Sequence, residues 1–363
     1  MKPPILLLII AIILIGCNAE QNEIVRTYDG FPEVVKLYGK PVTEIDFFSN
    51  RGAQLCIVDT FLVLKRTGFE TDILHIYNLY NMNLISKLGV IGKGPDEFLL
   101  PSIQNYTGFD SINNSPLIYI YDEETELLTE VNIFNAVNNV SNIYNQIPLP
   151  DVGHYFQYFL YQNEEAIFYS SVDTEGWLTK YDLNGNTSLQ IPFFKRDYAK
   201  ISDLEYFDLL LRPIALVSNQ VKMMAVAPLY MNELHFFDLD GNLKWITEFD
   251  SDSKKELITH VDPDELKYRV TGIIGTAKYL YCLNENRPPT KMKSIDGIKS
   301  KIQVFDWEGQ PIIEYIIDDS KYLTDFAVDK INNCIYGYCP GELEHNIIKY
   351  EMPDTLIEIL VNR

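Results

Sequence analysis

Histidines, carboxylates and clustered aromatics are the side chains of this chain that could do chemistry, and their spacing decides which chemistry is open. Five histidines occur: His75, His154, His235, His260 and His345. No two stand four residues apart, so no helix presents a zinc-binding pair beside a glutamate base. His75 and His235 hold the same place in two similar segments, Ile73 to Asn78 and Glu233 to Asp238, which points to a shared structural role. His154 and His345 stand near turns, where they could reach a channel mouth. No G-x-S-x-G elbow is present, so a hydrolase nucleophile of that kind is excluded. Asp59, Asp122, Asp173 and Asp329 fall at the ends of strand-like runs. A ring of such carboxylates at one mouth could hold Ca²⁺ and support a metal-dependent hydrolase or lyase acting on sugars or lactones. Tyr155, Phe156, Tyr158, Phe159 and Tyr161 form a dense run, either core packing or a stacking surface for a sugar or peptide.

Gly92, Gly94, Pro95, Glu97 and Phe98 form a compact corner, Gly92-Lys93-Gly94-Pro95-Asp96-Glu97-Phe98. Neither Ser nor Thr follows Lys93, so this is not a phosphate-binding loop. The glycines allow a sharp turn and the proline stiffens it. Glu97 is placed to accept from backbone amides, and Phe98 to pack between neighbouring units.

These residues need elements to hold them, and the chain supplies a repeated one. A short apolar strand ending in a bulky residue and then a polar one recurs six times. The copies are ILHIYN (73–78), LLTEVN (127–132), WLTKYD (177–182), ELHFFD (233–238), KIQVFD (301–306) and NIIKYE (346–351). Their spacing is close to that of one propeller blade each. A Tyr-, Ile- and Val-rich run precedes most copies, as in Leu117 to Tyr121 and Tyr279 to Leu283. After three copies the turn repeats with glycine at one offset: Asp182 to Asn186, Asp238 to Asn242 and Asp306 to Gln310. The expected fold is all-β, a six-bladed β-propeller of four-stranded antiparallel blades spanning residues 31–363, with short helical insertions at Lys195 to Arg212 and Ser251 to Lys267. Either Glu33 to Leu37 or Thr355 to Val361 could complete the last blade.

Residues 1–16 read as a secretory signal: Lys2, then an apolar run from Ile5 to Ile15 that is too short for an ordinary membrane span. Leu14-Ile15-Gly16-Cys17 matches a lipobox, which makes Cys17 the lipidation site and 17–30 a polar tether. The chain would then meet a membrane by its lipid anchor only. Asn18 after the cysteine points to the outer membrane, and Glu20 and Glu23 leave the exposed side open. A formal charge of −21 excludes a nucleic-acid partner, which needs a basic footprint. Cys56, Cys282, Cys334 and Cys339 are too few for a disulfide framework and read as buried thiols.

The Gly92 to Phe98 corner, with Phe305 to Pro311 and Ala327 to Tyr336, resembles the six-bladed TolB-like and NHL-like propeller lipoproteins of Bacteroidota-type bacteria. In that pattern glycine stands where this chain has Asp96. The resemblance implies the fold and an envelope location, and it names no activity. The residues favour a binding or scaffold module for an envelope protein or glycan, using one propeller face, over an enzyme. A metal-dependent enzyme with Ca²⁺ as its cofactor and a purely structural envelope component are the alternatives.

Overall fold

The computed structural model describes most of residues 25–353. Residues 1–24, 192–212, 250–266, 289–298, 318–321 and 354–363, with some short turns and the side chains of 105–114 and 150–177, lie outside the description. Cys17, Pro95, the two expected helical insertions (but for Lys267) and Thr355 to Val361 are among them.

Each repeated segment forms the third strand of a sheet. Sheet 1 runs through Ala53–Val58, Phe61–Arg66, Thr71–Asn78 and Leu84–Ile91. Sheet 2 follows with Pro101–Asp110, Ser115–Asp122, Leu127–Asn132 and Tyr144–Pro148, and sheet 3 with Phe156–Gln162, Glu165–Asp173, Gly176–Tyr181 and Thr187–Ile191. Sheet 4 comprises Pro213–Ser218, Met223–Pro228, Glu233–Asp238 and Leu243–Phe249. Sheet 5 comprises Tyr268–Gly275, Tyr279–Arg287, Lys301–Asp306 and Pro311–Ile317. Sheet 6 takes Asp325–Asp329, Cys334–Tyr338 and Ile347–Glu351 from the end of the chain and Lys40–Pro41 from its beginning. The first strands touch in cyclic order, sheet 6 against sheet 1 included, which makes the architecture an all-β propeller. Turns between first and second and between third and fourth strands lie at one rim, here the lower. Turns between second and third strands, and the links between sheets, lie at the upper rim.

Periodicity explains the core. Alternate residues of each strand enter one of two seams, so Leu234 and Phe236 pack toward sheet 5 while Phe237 packs toward sheet 3. The third-to-fourth hairpins are built alike. Asn186, Asn242 and Gln310 donate their backbone N–H to Asp182, Asp238 and Asp306 Oδ1 at 2.9, 2.8 and 2.8 Å. Gly241 and Gly309 take φ +80° and +78°, the left-handed region glycine tolerates. The register shifts next to the turn in sheets 1, 3, 4 and 5 alike, between Phe236 and Phe237 in sheet 4 for example. These turns also lock the seams. A Cβ on Gly309 would lie 2.3 Å from Thr247 Oγ1 of sheet 4, and one on Gly241 would lie 2.2 Å from Leu189 of sheet 3.

Two expectations need correction. Three sheets have five strands, not four, and their extra strands pair in parallel. Two of the extra strands come from residues 25–37, part of which read as tether. Val25–Tyr28 lies against Leu243–Phe249 of sheet 4, and Val34–Leu37 against Pro311–Ile317 of sheet 5. Lys40–Pro41 then completes sheet 6. The N-terminal segment thus forms a strap across the outer edges of three consecutive sheets, satisfying edge groups that would otherwise be open. The third extra strand, Glu97–Phe98, belongs to the glycine corner of sheet 1. The described helix is Ile133–Val137, capped by Asn132, whose side chain accepts from the Asn135 amide.

Candidate functional site in the seam between sheets 4 and 5

The aspartates considered as a calcium ring do not converge. Asp59 and Asp329 precede first-to-second turns at the lower rim, whereas Asp122 and Asp173 precede second-to-third turns at the upper rim. Asp122 is consumed locally, accepting from the amides of Leu99, Leu100, Glu124 and Thr125. Asp329 likewise accepts from Ile331 and Asn332. Among the described residues, no group of three or more His, Cys, Asp or Glu could hold a metal ion.

His75 and His235 are both buried on third strands. His235 Nε2 lies 3.1 Å from Glu233 Oε2, and His75 Nδ1 lies 3.3 Å from the Tyr77 hydroxyl with Phe47 edge-on. Burial, then the charges of Arg66 and Lys87, push the His75 imidazole down to about 4. The four described cysteines are free and buried, and burial raises the Cys56 thiol to about 12, away from reactivity. At the corner, Glu97 Oε2 accepts from the Gly94 amide at 2.7 Å, and a Cβ on Gly92 would lie 2.0 Å from that oxygen. Phe98 is buried between sheets 1 and 2 against Ile103, Ile120 and the Tyr144 ring. The side chains of the aromatic run 155–161 lie outside the description.

Among the described residues the upper rim holds buried polar groups in several places, Glu285, Arg287 and Tyr322 among them, and two regions contrast. The first joins sheets 6, 1 and 2 beside the axis. Gln54 accepts at Oε1 from Lys65 Nζ (3.1 Å) and from the Ile103 amide (2.9 Å), and donates to Ser102 Oγ (3.1 Å). Asp325 accepts from the Leu55 and Phe326 amides, both at 2.8 Å. Burial pushes the Asp325 carboxyl up to about 7, against those amides and the Lys65 charge. Burial also pushes Lys65 down to about 8, against Asp325 and Glu123. All of these bonds except that from the Phe326 amide run to another strand.

The second is a cleft of about 360 Å³ in the seam between sheets 4 and 5. Asn232 enters from a turn of sheet 4, and Arg269, Asn284, Asn286, Lys301, Gln303 and Glu314 from sheet 5. Asp29, Gly30, Phe31 and Val34 of the strap wall it from outside, and Phe249 at the end of the fourth strand of sheet 4 lines it as well. Asn284 Nδ2 donates to Asn232 Oδ1 (3.1 Å) across the seam and to Gln303 Oε1 (3.2 Å). Gln303 and Lys301 both donate to Glu314 at 3.0 Å, and Arg269 Nη1 donates to Asn286 Oδ1 at 2.6 Å. The pairing of the first two strands slips twice between Tyr268 and Gly272, and Asn286 takes φ +47°, so Arg269 and Asn286 depart from regular strand geometry here. Asn284 is 3% exposed, yet its Oδ1 has no hydrogen-bond partner among the described residues. A buried unpaired acceptor beside open space calls for a partner from outside the chain. A smaller recess of about 260 Å³ lies between sheets 6 and 1, beside Tyr80, Met82 and Lys349.

Sequence reading missed this cleft. A signal existed: the third residue of the repeated segment is polar and buried in five of six copies, namely His75, Thr129, Thr179, His235 and Gln303, with Ile348 in the sixth.

No protein-family model matches the sequence, and no curated protein does. Solved structures resemble it in fold. A member of the DUF4221 family from Bacteroides vulgatus aligns over 87% of this chain and 95% of its own at 10% identity, with a TM-score of 0.54. A Bacteroides fragilis protein inferred to be exported aligns over 90% and 97% at 11% identity and TM-score 0.49. The β-propeller domain of Cps50 from a Myceliophthora species aligns over 87% and 100% at 10% identity and TM-score 0.44. At such identities the first likeness is one of fold.

Proposed function

We propose that this chain is a six-bladed propeller lipoprotein of the bacterial envelope that binds a protein or glycan through its upper rim. The observation that carries the reading is the cleft between sheets 4 and 5: half-open, amide-rich, and lined by Asn284, whose buried Oδ1 has no partner among the described residues. Pockets of this size, apolar on one side with a few placed polar groups, are where folds of this kind take ligands. Six sheets touching in a cycle support the blade count. The lipobox at Leu14 to Cys17 supports the anchor, and Asn18 supports the outer membrane. The Gly92, Gly94, Pro95, Glu97 and Phe98 corner serves as a joint between sheets 1 and 2.

A calcium-dependent hydrolase or lyase finds little support, because its carboxylates are divided between the two rims. Two experiments test the proposal. Radiolabelled palmitate and membrane fractionation should place the chain in the outer membrane, and Cys17→Ala should abolish labelling and release it. In-cell photocrosslinking from the upper rim, at Lys301 and Asn286, should capture a defined envelope partner, whereas lower-rim positions such as Asp240 should not. Equal capture from both rims would refute a one-faced module.

A further inference from the structure

The chemistry of the cleft narrows its ligand, on the premise that the upper rim is a binding face. Four carboxamides, Asn232, Asn284, Asn286 and Gln303, line it. A carboxamide offers a donor and an acceptor side by side, the complement of a hydroxyl, which also does both. The charged lining groups cancel in number: Arg269 and Lys301 against Asp29 and Glu314. Lys301 and Glu314 are moreover bonded to each other at 3.0 Å, so neither offers an uncompensated charge. A net charge of −21 further disfavours an anion. Phe31 and Phe249 provide an apolar wall against which C–H groups can lie, with ring centroids 6.3 Å apart.

From this geometry we propose that the cleft binds a neutral saccharide of one or two rings, its hydroxyls bonded by the carboxamide lining around Asn284. The 360 Å³ volume holds a ligand of that size and excludes a folded protein segment. The strap closes the outer side, so the sugar enters from the upper rim and is held as a chain end.

The test is saturation-transfer NMR and calorimetry on the full chain in detergent. The probes are glucose, galactose, mannose, N-acetylglucosamine, maltose and cellobiose at millimolar concentration. At least one should bind saturably, and Asn284→Leu should weaken it tenfold or more, a change of about 1.4 kcal/mol. Phe31→Ala, on the strap and outside the strand pairing, should weaken the same sugar and serves where Asn284→Leu does not fold. Tyr80→Ala, in the recess between sheets 6 and 1, should leave it unchanged. Absence of saturable binding by all six sugars overturns the proposal, as does binding that neither cleft variant alters. If upper-rim crosslinking still captures a protein partner in that case, the binding-module reading survives and the saccharide does not.

Discussion

The axial junction of sheets 6, 1 and 2 and the cleft between sheets 4 and 5 share one rim, and both bury amides and charges in a seam. They differ in where the hydrogen bonds end. Around Gln54 the hydrogen bonds run from one strand to another, so the polarity ties three sheets together. In the cleft the chain of bonds from Lys301 to Asn232 passes through Asn284, whose side chain lines the hollow and whose buried Oδ1 has no partner among the described residues. Buried polarity that closes on itself is a joint, and buried polarity left open beside a cavity is a place for a ligand.

The largest effect we expect is below the cleft, at the sealed end of the same seam. Gly309→Ala forces a side chain into the left-handed region and against Thr247 and Trp245, and should cost about 2–4 kcal/mol in denaturant melts. A near-neutral result would show that the seam yields and that the cleft above it is not preformed. Next, Gln54→Leu strands the Ile103 amide and Lys65 and should cost about 2–3 kcal/mol without affecting any ligand. A loss of ligand binding in that variant would show that the junction and the cleft are not independent.

Two opposed pH effects come third. Asp325 holds its proton to about 7 when folded, against an ordinary 3.8, so its contribution to stability is full below about 4 and lost as pH rises through 7. His75 titrates near 4 when folded, against 6.5, so its contribution is full above 6.5 and lost as pH falls through 4. The two cancel in part over the shared window. Asp325→Asn should leave stability rising between pH 4 and 6.5, and His75→Phe should leave it falling, each by on the order of 1–3 kcal/mol in melts across that range. Matching profiles in both variants would show that the junction does not hold the protonated acid. The smallest effect is Phe31→Ala, which should cost about 1 kcal/mol, because this half-buried ring of the strap packs edge-on against Phe249 and Phe305 and takes no part in strand pairing. A cost as large as that of Gln54→Leu would make the cleft a second joint.

Much of this fold was legible because its rules are local. The six third strands were found from a hydrophobic pattern and a polar ending, and three hairpins from glycine at a fixed offset. What escaped was non-local or very short. Val25 pairs with Ile246 and Val34 with Glu314, parallel contacts across the length of the chain that leave no periodic mark on four-residue segments. Glu33 to Leu37 was weighed for the last sheet, yet Val34–Leu37 joins sheet 5 and two residues, Lys40–Pro41, fill the vacant place in sheet 6. The cleft was hidden for another reason. Asn284 and Gln303 sit inside apolar strands, and only strand register tells whether such a residue faces a neighbour or a hollow.

The strap also gives the ring a load path. Tension applied at Val25 along the strand axis is carried in shear by all four paired residues of Val25–Tyr28 at once, not one bond at a time. Sheet 6 can lose its fourth strand to such a pull only after the grips on sheets 4 and 5 have failed in turn. Asp29 to Val34, the outer wall of the cleft, is strung between the first two grips. A propeller closed in this way can hang from its own N-terminal end without its weakest sheet being the first to open.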